Sequence, residues 1–394
     1  MKILLVLETD WINRGPAQHH HLLERLKERG HNIRVIDFNI LWSEKKGKWP
    51  WSKKRQISVK GKVINQISIR LIRPFMIHAP IICYASFIPS YIIELIRQIK
   101  VYKPDVIIGE GLLNVFLATR IAKLFKIPLI KYFLDSDYNL IPEKFLRPLG
   151  FWLEIQGIKN SNEILVINKQ LCNYAKRMGA VAVPQVLSAG VDRQRFNPEI
   201  SGESVRERLG FGNNETVLFF MGWLYHFSGL RELAKSMIAL TDKRIRLLIL
   251  GRGDLYTELK QMAKHTKVAN IITIVDWVEY SDVPHYIAAA DICLLPALLN
   301  KTMRDIVPIK LYEYLACGKP VIATRLPGIW TEFGSKNGIR YIQKPEEVYN
   351  LARKIPRNSD EYMHIREEAI SFMEKLDWES ITNHFEKILE DVIS

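Results

Sequence analysis

Cysteine is scarce in this sequence. Cys83, Cys172, Cys293 and Cys317 are scattered through 394 residues, and no two stand at a Cys-x-x-Cys spacing. That excludes a disulfide framework and a thiolate metal knuckle. It suits a reducing compartment, where a free thiol serves as a small buried hydrophobe. Long apolar runs are missing as well. None reaches the roughly 18 to 20 residues that span a bilayer. The nearest, FMIHAPIICYASFIPSYIIELI, is broken by His78, Pro80, Pro89 and Glu94. The opening MKILLVLETDW meets Glu8 and Asp10 after a short apolar run, a poor signal peptide and a good first strand. Short repeats and low-complexity tracts are also absent. These absences together predict a cytoplasmic protein.

Acids are outnumbered: 42 Asp and Glu face 56 Lys and Arg, a net charge of +14. The excess is local. Between Glu44 and Arg73 stand ten Lys or Arg residues and one acid, interleaved with Trp49, Trp51 and several isoleucines. Basic residues beside tryptophans suit an anionic membrane surface, and a solvated insertion without a partner is the competing reading. No nucleic-acid motif accompanies the charge, so nucleic acid is not expected as a partner.

What the chain does hold is an ordinary globular composition, 48% hydrophobic and 25% charged. Its length calls for two domains. Strand-like and helix-like segments alternate from end to end, the pattern of parallel sheets with crossover helices. KILLVLE, HNIRVIDF, PDVIIGE, PLIKYFLD, EILVIN and QVLSAG form a first series, with helices between them such as those over 114–125 and 148–160. After VDRQRFNPEISGES a second series runs through TVLFFMG, IRLLILG, IITIVDW, DICLLPA and PVIAT. The expectation is α/β, with two Rossmann-like doubly wound domains at 1–190 and 191–375 and a hinge near 190–198. An amphipathic helix over 376–394 follows and can pack back on the first domain.

Ligands of doubly wound sheets bind outside the carboxyl ends of the strands. Glycine turns follow strands at Gly222 and at Gly251 and Gly253. The stretch DIVPIKLYEYLACGKPVIAT, 305–324, carries more. Pro308 suits a first helical position, because its missing N–H would be unpaired there anyway. Gly318 and Pro320 stop the helix. Asp305 lies just before it and Glu313 about one and a half turns in. An anion would meet the helix amides, and sugar hydroxyls would meet the carboxylates.

Taken in order, GVDRQRFNP, LLILGRGDLYTELK, VEYSDVPHYIAAADICLLPA and the 305–324 stretch resemble the retaining glycosyltransferases of the GT-B fold, group 1 or family 4. The resemblance runs over essentially the whole chain and is strongest from 186 to 332. It implies two domains facing across a cleft. It also implies a hexosyltransferase-like enzyme moving a sugar from a nucleoside diphosphate sugar to a hydroxyl. The basic, tryptophan-bearing region, and not the resemblance, suggests a peripheral enzyme at the inner face of the membrane with its acceptor on a lipid carrier or a polysaccharide. No metal or other cofactor is implied. Glu313 matches the acid that holds the donor ribose, and Asp305 the acid near the transferred sugar, where the class usually has glutamate. The resemblance places the amides of Ile306, Val307 and Ile309 at the sugar and phosphate, Val278 at the base, and Gly15 at the diphosphate. Asp135 and Asp137 fall where the acceptor enters.

The chain departs from the class after TVLFFMG. Cations usually stand beside that glycine and again before a second one, where this chain has Trp223 beside Gly222 and Ser228 before Gly229. Lys310, Arg252 and Arg304 are the candidate replacements, Lys310 first because it lies one turn before Glu313. The His19-His20-His21 triplet is expected to pack on a helix face rather than to bind metal. A nucleotide-sugar epimerase and a non-catalytic sugar-nucleotide or membrane-binding module are the alternatives.

Overall fold

The computed structural model describes residues 1–13, 16–38, 51–52, 55–77, 79, 82–134, 136–141, 143–238, 244–264, 271–300, 303–374 and 376–394. The chain is mixed α/β and divides into two units. One comprises Met1–Ser188 with Glu379–Ser394, and the other Ala189–Trp378.

The strands of the first unit are β1 (Lys2–Leu7), β2 (Asn32–Ile36), β3 (Trp51–Ser52), β4 (Arg55–Lys60), β5 (Ser68–Arg73), β6 (Met76–Ile77), β7 (Val106–Glu110), β8 (Leu129–Phe133), β9 (Glu163–Val166) and β10 (Gln185–Val186). Eight of them form one sheet in the order β10-β9-β8-β7-β1-β2-β5-β4. Only β4 runs antiparallel to its neighbour, from Arg55 opposite Arg73 to Lys60 opposite Ser68. The inner strands are mostly apolar because helices cover both faces of a parallel sheet, with Arg34 in β2 and Lys131 in β8 among the exceptions. Ile3, Leu4, Leu5, Val6 and Leu7 are all fully buried. The sheet reverses its order between β1 and β7.

The basic stretch 44–73 is therefore not a free insertion where it is described. Its hairpin forms the sheet edge, and Glu24 of the helix Gln18–Glu28 ties down the turn by accepting from Lys62, Val63 and Ile64 N–H at 2.8, 2.7 and 2.9 Å. Arg73 is buried, and its Nη2 donates to Asp10 Oδ1 at 2.6 Å and Asp37 Oδ2 at 2.9 Å. Part of the charge thus serves the core. Residues 39–50, with Trp49, and Lys53 and Lys54 lie outside the described residues.

The second unit contributes β11 (Thr216–Met221), β12 (Ile245–Leu250), β13 (Ile272–Val275), β14 (Ile292–Leu295), β15 (Val321–Thr324) and β16 (Ile339–Ile342). They pair as β13-β12-β11-β14-β15-β16, all parallel. This is the doubly wound order 3-2-1-4-5-6, whose switch point falls between β11 and β14. The helix Trp378–Ile393 lies almost wholly in the first unit, where Arg29 Nη1 and His31 Nε2 each meet Glu386 at 2.5 Å.

Candidate active site

The switch point of the second unit gathers several of the expected residues. Strand β11 ends at Met221 and turns at Gly222, whose φ of +118° admits glycine readily. The helix Ile309–Ala316 crosses from β14 to β15 and starts at the same edge. Pro308 is its extended cap, with φ −70° and ψ 133°, and not its first residue as the sequence pattern suggested. The ring fixes φ near this value in either position, so the pattern could not tell them apart. From the first turn Lys310 Nζ donates to Met221 O at 2.5 Å and sits 4.3 Å from the Phe220 ring centroid. A methyl added to Gly222 would come within 2.7 Å of that ammonium. Burial pushes Lys310 down to about 8, against the pull of Glu313.

Glu313 follows one turn later, only 5% exposed. Tyr280, in the loop after β13, donates its hydroxyl to Glu313 Oε1 at 2.6 Å. The Arg195 guanidinium lies 5.0 Å from the Tyr280 ring centroid. Burial lifts the Glu313 carboxyl to about 7, although the Tyr280 hydrogen bond, Lys310 and Arg195 all favour its ionised form. A cation and an acid thus share one helical turn at the carboxyl edge of the sheet.

The other expected residues spread around this pair. Ser228 is buried, and Gly229 must be glycine, since a methyl there would come within 1.8 Å of Pro296 O. Among the described residues the buried Trp223 indole nitrogen has no hydrogen-bond partner, and Leu224 N donates to Arg252 O at 2.8 Å. Arg252 reaches over the edge to Asp276, with Nη2 on Oδ2 at 2.6 Å. Val278 is half-buried in the loop after β13. Arg304 is exposed, Asp305 and Ile306 are half-buried, and Val307 is buried. The Arg304 carbonyl accepts from Gly328 N at 2.8 Å, which seats this loop on the helix Pro327–Phe333.

The first unit has its own switch point, between β1 and β7. Glu8 ends β1 and accepts from Leu112 and Leu113 N–H at 2.5 and 3.1 Å, at the start of the helix Leu113–Phe125. Burial pushes Glu8 up to about 7. His19 Nδ1 meets Glu110 Oε2 at the end of β7 at 2.8 Å. The Trp11 ring packs 4.0 Å from His20, and burial holds His20 well below its ordinary value, so it is neutral. All three histidines of the triplet are buried. Asp137 opens the short turn Asp137–Leu140, whereas Gly15 and Asp135 lie outside the described residues. Among the described residues no group of three or more His, Cys, Asp or Glu could hold a metal ion.

Sequence reasoning missed Tyr280, Glu8 and the His19–Glu110 pair. A signal existed for each, since all stand at or just after the carboxyl end of a strand or on the helix that follows.

Residues 215–358 match the family model for glycosyl transferases group 1, and the chain has the GT-B fold of that class. Among relatives, 159 residues are 33% identical to a GDP-mannose-dependent monoacylated alpha-(1-6)-phosphatidylinositol monomannoside mannosyltransferase of Corynebacterium glutamicum. That match covers 39% of this chain and 41% of the relative, so the chain spans about two fifths of its length. Among solved structures, sucrose-phosphate synthase from Thermosynechococcus elongatus superposes with a TM-score of 0.78 at 15% identity, covering 100% of this chain and 99% of the other. Anabaena Alr3699/HepE in complex with UDP-glucose gives 0.74 at 15% identity, over 99% and 100%.

Proposed function

We propose that this chain is a retaining glycosyltransferase that moves a hexosyl group from a nucleoside diphosphate sugar to a hydroxyl acceptor. The observation that carries the reading is the pairing of Lys310 with Glu313 on the first turns of one helix, at the Gly222 turn of the switch point. The diphosphate lies against the Lys310 ammonium and the first amides of the helix Ile309–Ala316, and the ribose hydroxyls donate to Glu313. Lys310 then stands in for the cations that Trp223 and Ser228 do not supply. Asp305 holds the transferred sugar. No metal is used.

In the transfer, the bond from the anomeric carbon to the diphosphate oxygen breaks as the acceptor oxygen attacks the same face. The acceptor proton passes to the departing phosphate. The protein's part is to neutralise the charge that grows on the diphosphate and to hold the acceptor close. A carboxylate pair at glycosidase spacing has no role in such a step. The acceptor hydroxyl is lipid-borne or on a glycan, and an anionic membrane surface is a partner of the chain. The mannosyltransferase relative and the UDP-glucose-bound neighbour support a nucleotide sugar as donor.

The test is a thermal-shift panel of nucleotide sugars, followed by product analysis with the donor that binds. A ligand at 100 times its Kd adds roughly 2.7 kcal/mol of stability. Donor turnover without an acceptor product would favour an epimerase, and binding without turnover would favour a non-catalytic module.

A further inference from the structure

The helix Arg147–Asn160 of the first unit has two apolar faces. One is spent on the core, where Gly150, Leu153, Gly157 and Ile158 are buried. The other is not. Phe145, in the short turn that runs into the helix, is 70% exposed, Leu149 53% and Trp152 46%. Spacings of four and three put these side chains on one face. A surface helix ordinarily turns polar residues outward there.

The patch continues onto the neighbouring helix Leu113–Phe125. The Phe116 ring lies 5.2 Å from Trp152, and the Arg120 guanidinium stacks 3.6 Å over Phe116. Lys123 and Lys144 are exposed beside it. Residues 111–126 contain no acid. The one acid in 144–160 is Glu154, which is buried and accepts from the Tyr174 hydroxyl at 2.6 Å. The patch is therefore aromatic and aliphatic at its centre and mainly cationic at its rim, where half-buried Glu143 is the acid next to Lys144.

We propose that this face docks on an anionic lipid surface, with Phe145, Leu149 and Trp152 entering the headgroup boundary and Arg120, Lys123 and Lys144 meeting lipid phosphates. Tryptophan with basic neighbours is the side-chain set that such an interface selects. A second copy of the chain is disfavoured as the occupant, because two cationic rims would face each other. The basic hairpin is a poorer candidate. Its described exposed positions on β4 are Arg55, Gln56, Ser58 and Lys60, with no large apolar side chain among them. Charges on an edge strand already have a purpose, which is to block pairing with another chain. The proposal rests on the reading of the acceptor as lipid-borne or at a membrane. Docking is measured without donor or acceptor, so its failure leaves the transferase reading to its own test.

The experiment is co-sedimentation of the full chain with phosphatidylcholine vesicles, with and without phosphatidylglycerol, at low and high salt. The parent is expected to bind the anionic vesicles and to lose them as salt rises. The variant F145S/L149S/W152S should keep a cooperative melt, lowered only by the lost contact of Trp152 with Phe116, and should bind about tenfold or more weakly. The variant R120S/K123S/K144S should lose about 100-fold, for three charges near the lipid surface. The hairpin variant R55S/K60S/R70S should bind like the parent. Brominated lipid should quench fluorescence of the parent more than that of W152F. Parental binding by the apolar variant, loss of binding by the hairpin variant, or no vesicle binding by the parent would each overturn the proposal. So would a dimer that W152S dissolves.

Discussion

Glu313 offers a test in which two measurements must move in opposite directions. Burial has lifted its carboxyl from an ordinary 4.5 to about 7. Between those values the folded chain binds more protons at this site than the unfolded chain does. Stability of the unliganded protein therefore falls as pH rises through that window, by at most about 3 kcal/mol if Glu313 acts alone. Donor binding works the other way. Ribose hydroxyls donate to the ionised carboxylate and not to a protonated one, so affinity should rise up to about pH 7 and then level. Below that pH it should fall by up to about tenfold per unit. Glu313→Gln should flatten the affinity profile and remove Glu313's share of the stability change, since the amide does not titrate, while Glu8 keeps its own share. Glu313→Ala should also weaken the donor by roughly 1.5 to 3 kcal/mol, or about 10- to 150-fold, the range for hydrogen bonds to a charged group. The assays are thermal melting and isothermal titration calorimetry from pH 5 to about 8.5, on folded protein of each variant. If Glu313→Ala binds the donor as the parent does, or if the affinity profile of the parent is flat, the carboxylate does not hold the ribose.

Three further outcomes follow from the same geometry. Lys310→Ala should abolish most transfer while keeping the fold, and added divalent metal should not restore it; a lost charge-assisted contact costs roughly 1.5 to 3 kcal/mol, so normal steady-state rates would place the diphosphate elsewhere. Tyr280→Phe removes the hydrogen bond to Glu313 Oε1 and should raise the KM for donor about tenfold with kcat nearly kept; it should also move the midpoint of the affinity profile upward, and an unmoved midpoint would mean that the hydroxyl does not tune the acid. Arg73→Met leaves Asp10 and Asp37 buried without their cation and should cost about 3 to 5 kcal/mol in urea unfolding. A loss near zero would show that those carboxylates are satisfied without it.

How much of this was legible in the sequence differs by region, for physical reasons. Parallel strands such as Thr216–Met221 and Ile245–Leu250 announce themselves, because burial on both faces demands apolar residues, and 217–221 and 247–250 are all buried. Lys310 and Glu313 were also readable, since a three-residue spacing on a helix fixes one face. The hairpin 55–73 was not. Its charges resemble a solvated surface, and only the distant Asp10 and Asp37 reveal that Arg73 belongs to the core. Tyr280 was missed for a related reason. It lies far from Glu313 in sequence, and nothing local to VEYSD indicates which acid its hydroxyl meets.

The first unit is interrupted by the second and completed by residues 379–394. During synthesis, the surface around Arg29 and His31 leaves the ribosome long before Glu379 and Glu386 exist to pair with it. The contiguous second unit has no such wait, so it can close while the first still lacks its covering helix. Domains that emerge first ordinarily finish first. A chain released after residue 378 would therefore carry the whole second unit and a first unit without the acids that pair Arg29 and His31.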